Sequence, residues 1–261
     1  MSPQILVRTE ARDGGLVGFV TIDNQRRLNC LGSPLLEAFA GAVRKLADEA
    51  GLRVIVVTGA GERAFAGGAD IDELAALSGP EAARAFITRV HLACAAVRDA
   101  PVPVIARING YALGAGLELA AACDMRIAAD TAVFGMPEVK LGIPSVVEAA
   151  LLPGLVGWGR TREILLTGET FGAAEALDWR LVEKVVPARE LDAGVEGWIA
   201  AILSAKPRAL ALQKALIRQW EEAPMSEAIV AGVNSLAAAF ETDEPARAMA
   251  QFKADQARRG R

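Results

Sequence analysis

Two hydrophobic patterns alternate over the first 145 residues of the chain. Alternating or continuous apolar runs rich in β-branched residues predict strands at 16–23, 52–59, 102–110 and, as short strands around a turn, 126–139. Apolar residues spaced three and four apart predict helices over 33–51, with Ser33 as N-cap, and over 79–100. The continuous run at 52–59 is typical of a strand buried on both faces. The pattern indicates an α/β core.

Beyond residue 145 the pattern is mainly helical, with one strand-like piece at 180–187. From about residue 190 the chain predicts amphipathic helices that are interrupted at Pro207, Pro224 and Pro245. No flexible linker separates the two parts. We therefore expect a core over 1–195 that carries the active site, and a helical C-terminal region over 196–261 that packs on the core or on a neighbouring subunit.

Composition excludes several classes of protein. The 261 residues are 52% hydrophobic with a net charge of −4, which argues against a dedicated nucleic-acid binder. The N-terminus has no apolar signal region, and no charge-free run of about 18 apolar residues predicts a membrane span. Cys30, Cys94 and Cys123 lie far apart in apolar surroundings, which is typical of buried thiols in a reducing compartment rather than of a metal site. We expect a cytoplasmic protein.

A glycine-rich segment follows the strand at 52–59. Residues 59–64, GAGERA, match the G-x-G-x-x-A dinucleotide pattern, but the required helix and second strand with its acidic residue do not follow. Gly67 and Gly68 favour another interpretation, because a backbone without Cβ atoms lets N–H groups approach a ligand closely. Such an N–H group aimed at a carbonyl oxygen is half of an oxyanion hole. The alternative is a plain strand-to-helix turn.

The stretch LGAGLELAAACD at 113–124 places one carboxylate, Glu118, in an otherwise small and apolar run. The glycines indicate the N-terminus of a helix, where free N–H groups near Ala115 offer a second oxyanion donor. Glu118 lies one turn further along, on the same face as Ala115. A carboxylate in that position is placed to act on an atom beside a bound carbonyl. The alternative is a buried ion pair with Arg107 or Arg126.

A second carboxylate, Glu138, follows Pro137 in another apolar stretch. Two glutamates in apolar surroundings suit an acid/base pair whose pKa values are set by the environment.

Three other polar residues have simpler interpretations. Asp70 is expected to cap and hold the Gly67–Gly68 loop, Glu148 to be a solvated or capping acid, and His91 to be structural.

Three motifs in this order resemble the enoyl-CoA hydratase/isomerase (crotonase) family: AFAGGADI at 64–71, NGYALGAGLELAAACDMRIA at 109–128 and FGMPEVKLGIP at 134–144. The segment 167–187 also matches, so the resemblance covers nearly the whole chain. It implies an α/β fold, a spiral of repeated ββα units with a C-terminal helical extension. It further implies a homotrimer, or a hexamer formed as a dimer of trimers, built by the helices from about 196.

The resemblance also assigns roles to residues. The N–H groups of Gly67 and Ala115 would form the oxyanion hole, and Glu118 and Glu138 match the two glutamates of hydratases. The remaining expected substrate-binding residues are Arg26 or Arg27, Ala66, Gly68, Ala69, Asp70, Ile71, Gly114 and Ser145. After Pro144 the chain departs from the family pattern, because Ser145 replaces a glycine that helps to place water and Glu148 is an additional acid. The shape of the acyl pocket, and hence the substrate, therefore stays open.

The function implied is hydration of a 2-enoyl-CoA thioester to a 3-hydroxyacyl-CoA. No metal or redox cofactor is expected, since coenzyme A is part of the substrate. An enoyl-CoA isomerase, another acyl-CoA lyase or hydrolase on the same scaffold, and a non-catalytic acyl-CoA-binding subunit are the alternatives.

Overall fold

The chain folds into two β-sheets surrounded by helices. The structure is a computed structural model and describes residues 2–259. The strands are β1 (Gln4–Arg12), β2 (Gly15–Asp23), β3 (Leu52–Gly59), β4 (Ala64–Ala66), β5 (Val104–Ile108), β6 (Tyr111–Leu113), β7 (Met125–Ala129), β8 (Val133–Gly135), β9 (Thr170–Gly172) and β10 (Lys184–Val186). The helices are α1 (Ser33–Ala47), α2 (Ile71–Ala76), α3 (Gly79–Arg98), α4 (Ala115–Ala122), α5 (Leu152–Thr167), α6 (Ala173–Asp178), α7 (Leu191–Ser204), α8 (Pro207–Trp220), α9 (Met225–Ala239) and α10 (Glu244–Arg259). Two 3-10 helices, Pro137–Leu141 and Val147–Leu151, precede α5.

The path of the chain through the two sheets is a spiral. The larger sheet has the order β1-β2-β3-β5-β7-β10 and the smaller one β4-β6-β8-β9. Strands that follow one another in the chain, β3 and β4, β5 and β6, β7 and β8, belong to different sheets, and successive turns pair in parallel. Helices α2 and α3 follow the first of these strand pairs, α4 follows the second, and the two 3-10 helices and α5 follow the third. The expected spiral of ββα units is therefore confirmed.

Strand β3 is the centre of the core. Its Ile55 and Val57 belong to a large apolar cluster with α1, α3 and α4, whereas Val54 and Val56 pack with α7 on the opposite face. All four side chains are at most 1% exposed, which confirms the expectation of a strand buried on both faces. Burial on both faces fixes β3 firmly, so the glycine-rich loop that follows it begins from a rigid position.

The structure differs from the predicted elements at β1 and at both ends of α1, among other positions. Strand β1 was not predicted; it pairs antiparallel with β2 at an edge of the larger sheet and is mostly exposed, so its sequence lacks a strong apolar pattern. Helix α1 ends at Ala47 rather than at residue 51. Its N-cap is Gly32, because Ser33 is already helical and its N–H donates to Glu73 Oε2 at 2.8 Å. The prediction of Ser33 as N-cap was wrong.

Among the C-terminal helices, α8 is anchored to the core by a buried lysine, whereas α9 is largely exposed. Lys214 of α8 is buried and donates to Asp124 Oδ2 at 2.8 Å and to the Val102 carbonyl at 2.9 Å. In α9, by contrast, the only buried residue is Ala228. Residues 260 and 261 of the predicted C-terminal region lie outside the described residues. Within residues 2–259, no helix combines the length and the apolar character needed to span a membrane.

Candidate active site

Helix α4 holds Glu118 in the interior. All eight of its residues are buried, and Glu118 itself is 4% exposed. The helix is pressed against β4: a Cβ atom on Gly116 would lie 2.1 Å from the Ala66 carbonyl oxygen. Small residues along this helix therefore allow a contact between backbones, and that contact fixes Glu118 relative to the loop after β4.

Neither arginine considered as a partner of Glu118 is available to it. Arg107 donates to Asp192 at 2.7 Å, and Arg126 is paired with Glu183 and with the carbonyl oxygens of α4's C-terminal end. An ion pair with either arginine therefore does not explain why Glu118 is buried. Because burying a carboxylate without a cation is costly, its position needs a different explanation.

Burial determines the protonation of Glu118. The pKa of Glu118 is raised to about 8, mainly by loss of solvation and in addition by the charges of Glu138 and Glu148, while the N–H of Ala149 opposes the rise by donating to Oε1 at 3.2 Å. A carboxyl group with a pKa in this range exchanges its proton near neutral pH, as general acids and bases do.

The second glutamate lies at the same end of α4. Glu138 is in the 3-10 helix that follows Met136, and its Oε1 would be only 2.3 Å from a Cβ atom on Gly114. Its other oxygen, Oε2, accepts a hydrogen bond of 2.7 Å from Ser145 Oγ. Gly114 has φ +49° and precedes the first turn of α4, so glycine is required there for conformation as well as for space. The two carboxylates therefore converge on the N-terminal end of α4.

The structure corrects the first oxyanion donor. The N–H of Gly67 donates to the Leu28 carbonyl at 2.8 Å, and a Cβ atom at Gly67 would also lie 2.8 Å from that oxygen. Gly67 is thus needed for packing against the loop at 28–31, and its amide is not free for a ligand. The prediction that Gly67 supplies a donor is wrong.

Ala69 has the free amide instead. Leu31 and Ala69 form an isolated parallel bridge, in which Leu31 N donates to the Gly68 carbonyl and Asp70 N donates to the Leu31 carbonyl, so both hydrogen bonds are made by the neighbours of Ala69. In such a pairing the N–H of the residue between them points to the other side. Among the hydrogen bonds of residues 2–259, the N–H of Ala69 has no acceptor.

Ala115 supplies the other amide. It is the first residue of α4, where an N–H has no intrahelical partner, and no acceptor is found for it in the described chain. The loop of Ala69 lies beside it: a Cβ atom on Gly68 would be 3.1 Å from the Leu113 carbonyl oxygen, and one on Gly114 would be 3.9 Å from Gly68 Cα. Two unused amides thus come from adjacent turns.

The residues expected at the coenzyme A end surround the same loop. Asp70 caps α2, accepting from the N–H groups of Asp72 and Glu73, as predicted. Arg27 pairs with Asp70 at 2.9 Å and with Asp72 at 2.6 Å. Arg26 is exposed and makes no ion pair with any described residue, and Ile71 is 55% exposed at the start of α2.

Glu148 differs from its prediction as a solvated or capping acid. It is 7% exposed, and its Oε1 lies 2.8 Å from Nδ1 of His91 on α3. The N-cap of its 3-10 helix is Val146, not Glu148. Hydrophobic pattern alone gave no sign of this burial, because Glu148 lies in a short 3-10 helix without a clear period.

Comparison with known proteins assigns the chain to a family. The family model described as enoyl-CoA hydratase/isomerase matches residues 12–257, so the chain belongs to that family. A probable enoyl-CoA hydratase of Mycobacterium tuberculosis is 36% identical over 249 residues, covering 95% of this chain and 94% of the relative.

Two further comparisons agree with this assignment. A crotonyl-CoA hydratase of Syntrophomonas wolfei is 35% identical over 232 residues, covering 88% of this chain and 89% of the relative. The crystal structure of an enoyl-CoA hydratase from Bacillus anthracis aligns with a TM-score of 0.91 at 33% identity, covering 97% and 96% of the two chains. The crotonase-type α/β fold recognised from the sequence is thereby confirmed.

Proposed function

We propose that the protein is an enoyl-CoA hydratase, which adds water across the 2,3 double bond of a 2-enoyl-CoA thioester to give a 3-hydroxyacyl-CoA. The observation that carries the proposal is the convergence of Glu118 and Glu138 at the end of α4, beside the unused amides of Ala69 and Ala115. The relatives named as hydratases, at about 35% identity over most of their length, support the same reaction.

The two amides would bind the thioester oxygen. Negative charge grows on that oxygen as water attacks the β-carbon and an enolate-like state forms, so fixed N–H donors stabilise the transition state more than the substrate. Loss of one such donor typically costs about 2.7–4 kcal/mol of barrier. Both donors here are main-chain groups, which explains why alanine is acceptable at 69 and at 115.

The two glutamates would move the protons. In its ionised form Glu118 takes a proton from water while the hydroxide oxygen bonds to the β-carbon, and Glu138 gives a proton to the α-carbon as the double bond is lost. The proton gained by Glu118 then returns to Glu138 before the next turnover. The sum is the addition of one water molecule, and no electrons are transferred to or from the substrate. This division follows the family resemblance, and the burial of Glu118 supports it, because a raised pKa makes the carboxylate a stronger base.

The proposal includes three further features. Arg26, rather than Arg27, would contact a phosphate of coenzyme A, and the pairing of Arg27 with Asp70 and Asp72 supports this choice. The protein needs no resident metal or redox cofactor. It acts in the cytoplasm as a homotrimer, or as a hexamer of two trimers, through the exposed apolar side of α9.

The test is turnover of a panel of short, branched, aromatic and long 2-enoyl-CoAs by the purified protein. We expect hydration of at least one of them, measured as loss of the enoyl-thioester absorbance and checked by product analysis. Glu118→Gln and Glu138→Gln should each reduce kcat by about 10²–10⁴-fold, whereas Glu169→Gln, an exposed surface acid paired with Lys140, should not.

Other outcomes identify the alternatives. Migration of the double bond without hydration would make the protein an isomerase, and thioester cleavage would make it a hydrolase. Binding of acyl-CoA with every enoyl-CoA left unchanged would make it a binding subunit.

A further inference from the structure

Glu148 is a third buried acid beside the two glutamates of the proposed site. One of its oxygens, Oε1, lies 2.8 Å from His91 Nδ1, and the His91 side chain is 54% exposed. The other oxygen, Oε2, is fully buried and has no hydrogen-bond partner among the described residues. A buried carboxylate that is only half satisfied is costly, and the proposed reaction as written does not use it.

The backbone around Glu148 is strained. Val147 has φ +39°, in the left-handed region that β-branched residues strongly avoid. Strain of this kind persists only where the surrounding structure holds it. Ala149, the residue after Glu148, shares its N–H between the Val146 carbonyl at 2.9 Å and Glu118 Oε1 at 3.2 Å. Among residues 2–259 this is the only hydrogen bond found for the Glu118 carboxylate.

We propose that Glu148, anchored by His91, is a positioning residue for Glu118: it holds the turn that presents the Ala149 N–H to Glu118 and places a further negative charge near it. The inference rests on the proposed function for its catalytic meaning. The two effects on Glu118 are distinct: the amide fixes the orientation of its carboxylate and lowers its affinity for a proton, whereas the charge of Glu148 increases that affinity.

The titratable groups around Glu148 are few. Helix α3 contributes His91 and the thiol of Cys94, and α4 contributes Glu118, with Glu138 beyond it. Helix α5 also packs against this turn, but its charged residues are engaged elsewhere: Arg160 with Glu163 and Trp179, and Arg162 over Trp158. Burial raises the pKa of Glu148 and His91 opposes this effect. Removing His91 is therefore expected to weaken the charge of Glu148.

The experiment measures the titration of Glu118 directly. Proteins labelled with ¹³C at the glutamate side-chain carboxyls are titrated by NMR, and the Glu118 signal is identified by its loss in Glu118→Gln. Glu148→Gln can keep the hydrogen bond to His91, and hence the turn, while it removes the charge, so it should lower the pKa of Glu118. His91→Ala should shift this pKa in the same direction, because it weakens the charge of Glu148. Both variants should also reduce kcat for hydration by about tenfold with a smaller change in KM, and move the pH profile of kcat/KM to lower pH. Glu169→Gln is the matched control and should change none of these.

The results separate this inference from the proposed function. If the Glu118 signal titrates as in the wild type in both variants, the inference is overturned, even if kcat has fallen. If Glu148→Gln does not fold, His91→Ala decides the question, because its side chain is half exposed. Absence of hydration by the wild-type protein would instead refute the proposed function, and the NMR titration would still report on the coupling.

Discussion

Helices α4 and α9 are both rich in alanine and apolar residues, yet they lie in opposite environments. Every residue of α4 is buried, and its glycine lets the helix touch the backbone of β4. In α9 one residue of fifteen is buried, and its exposed side chains include Ile229, Val230, Val233 and Leu236, each 58–66% exposed. An apolar pattern thus indicates that a helix needs a partner surface, but it does not indicate whether that surface belongs to the same chain.

The largest expected effect comes from breaking the contact of α4 with β4. Gly116→Ala would place a Cβ atom 2.1 Å from the Ala66 carbonyl oxygen, a backbone atom that cannot rotate away. We expect a loss of about 3 kcal/mol in the free energy of unfolding, together with loss of activity. Urea unfolding measures the change.

Gly41→Ala in α1 is the matched control, since a Cβ atom there has no neighbour within 4 Å. It should be neutral or stabilise the protein by up to about 1 kcal/mol. Equal stability of the two variants would show that close packing of α4 is not required.

The second prediction concerns the buried charge in α4. Because burial raises the pKa of Glu118 to about 8, the folded protein retains a proton that the unfolded chain loses near pH 4.3, so stability falls as pH rises between these values. Glu118→Gln cannot ionise. The free energy of unfolding of this variant, relative to wild type, should therefore increase by about 3 kcal/mol between pH 5 and pH 7.

Urea unfolding at both pH values is the measurement. The exposed Glu169 serves as comparison, because Glu169→Gln should follow the wild type at each pH. Parallel pH dependences of wild type and Glu118→Gln would contradict the burial argument.

A third prediction separates the geometry of the site from the stability of α4. Gly114→Ala would bring a Cβ atom within 2.3 Å of Glu138 Oε1 at a residue with φ +49°. The carboxylate of Glu138 must move, so we expect about a 100-fold loss of kcat/KM for hydration. Gly154→Ala, at a helical glycine with open space, should leave kcat/KM unchanged. The same loss in both variants would indicate a general effect of glycine replacement.

The smallest effect on the protomer is expected at α9. Leu236→Glu puts a charge on its exposed apolar side, and size-exclusion chromatography with light scattering should then show a smaller assembly than the wild type. Circular dichroism should show unchanged helix content, since Leu236 is 66% exposed in the protomer. Lys45→Glu, on the exposed side of α1, should not alter the assembly. A wild type that is already monomeric would refute the proposed trimer.

Local pattern predicted much of the fold and the two acids of the candidate site. Strand β3 and helix α3 were recognisable because their hydrophobic period is a local property of the chain. Glu118 stood out because a lone carboxylate in a small apolar run is unusual. Strand β1 was missed because an exposed edge strand needs no continuous apolar face.

The assignment of the oxyanion donor shows the limit of this reasoning. The glycines at 67 and 68 correctly indicated a close backbone approach, but the group that approaches Gly67 is the Leu28 carbonyl, about 40 residues earlier in the chain. Leu28 and Asn29 have φ of +53° and +57°, a conformation that asparagine adopts more readily than most residues but that is uncommon for leucine. No local signal therefore reveals which amides of the loop remain free.

The alternation of strands and helices, the family, and the two glutamates in apolar surroundings could be recognised from the amino-acid sequence, since each depends on residues near one another in the chain. The free N–H of Ala69 in place of Gly67, the other partners of Arg107 and Arg126, and the burial of Glu148 beside His91 became clear from the folded chain alone. Those facts depend on which distant groups meet, because hydrogen bonds and desolvation are set by neighbours in space.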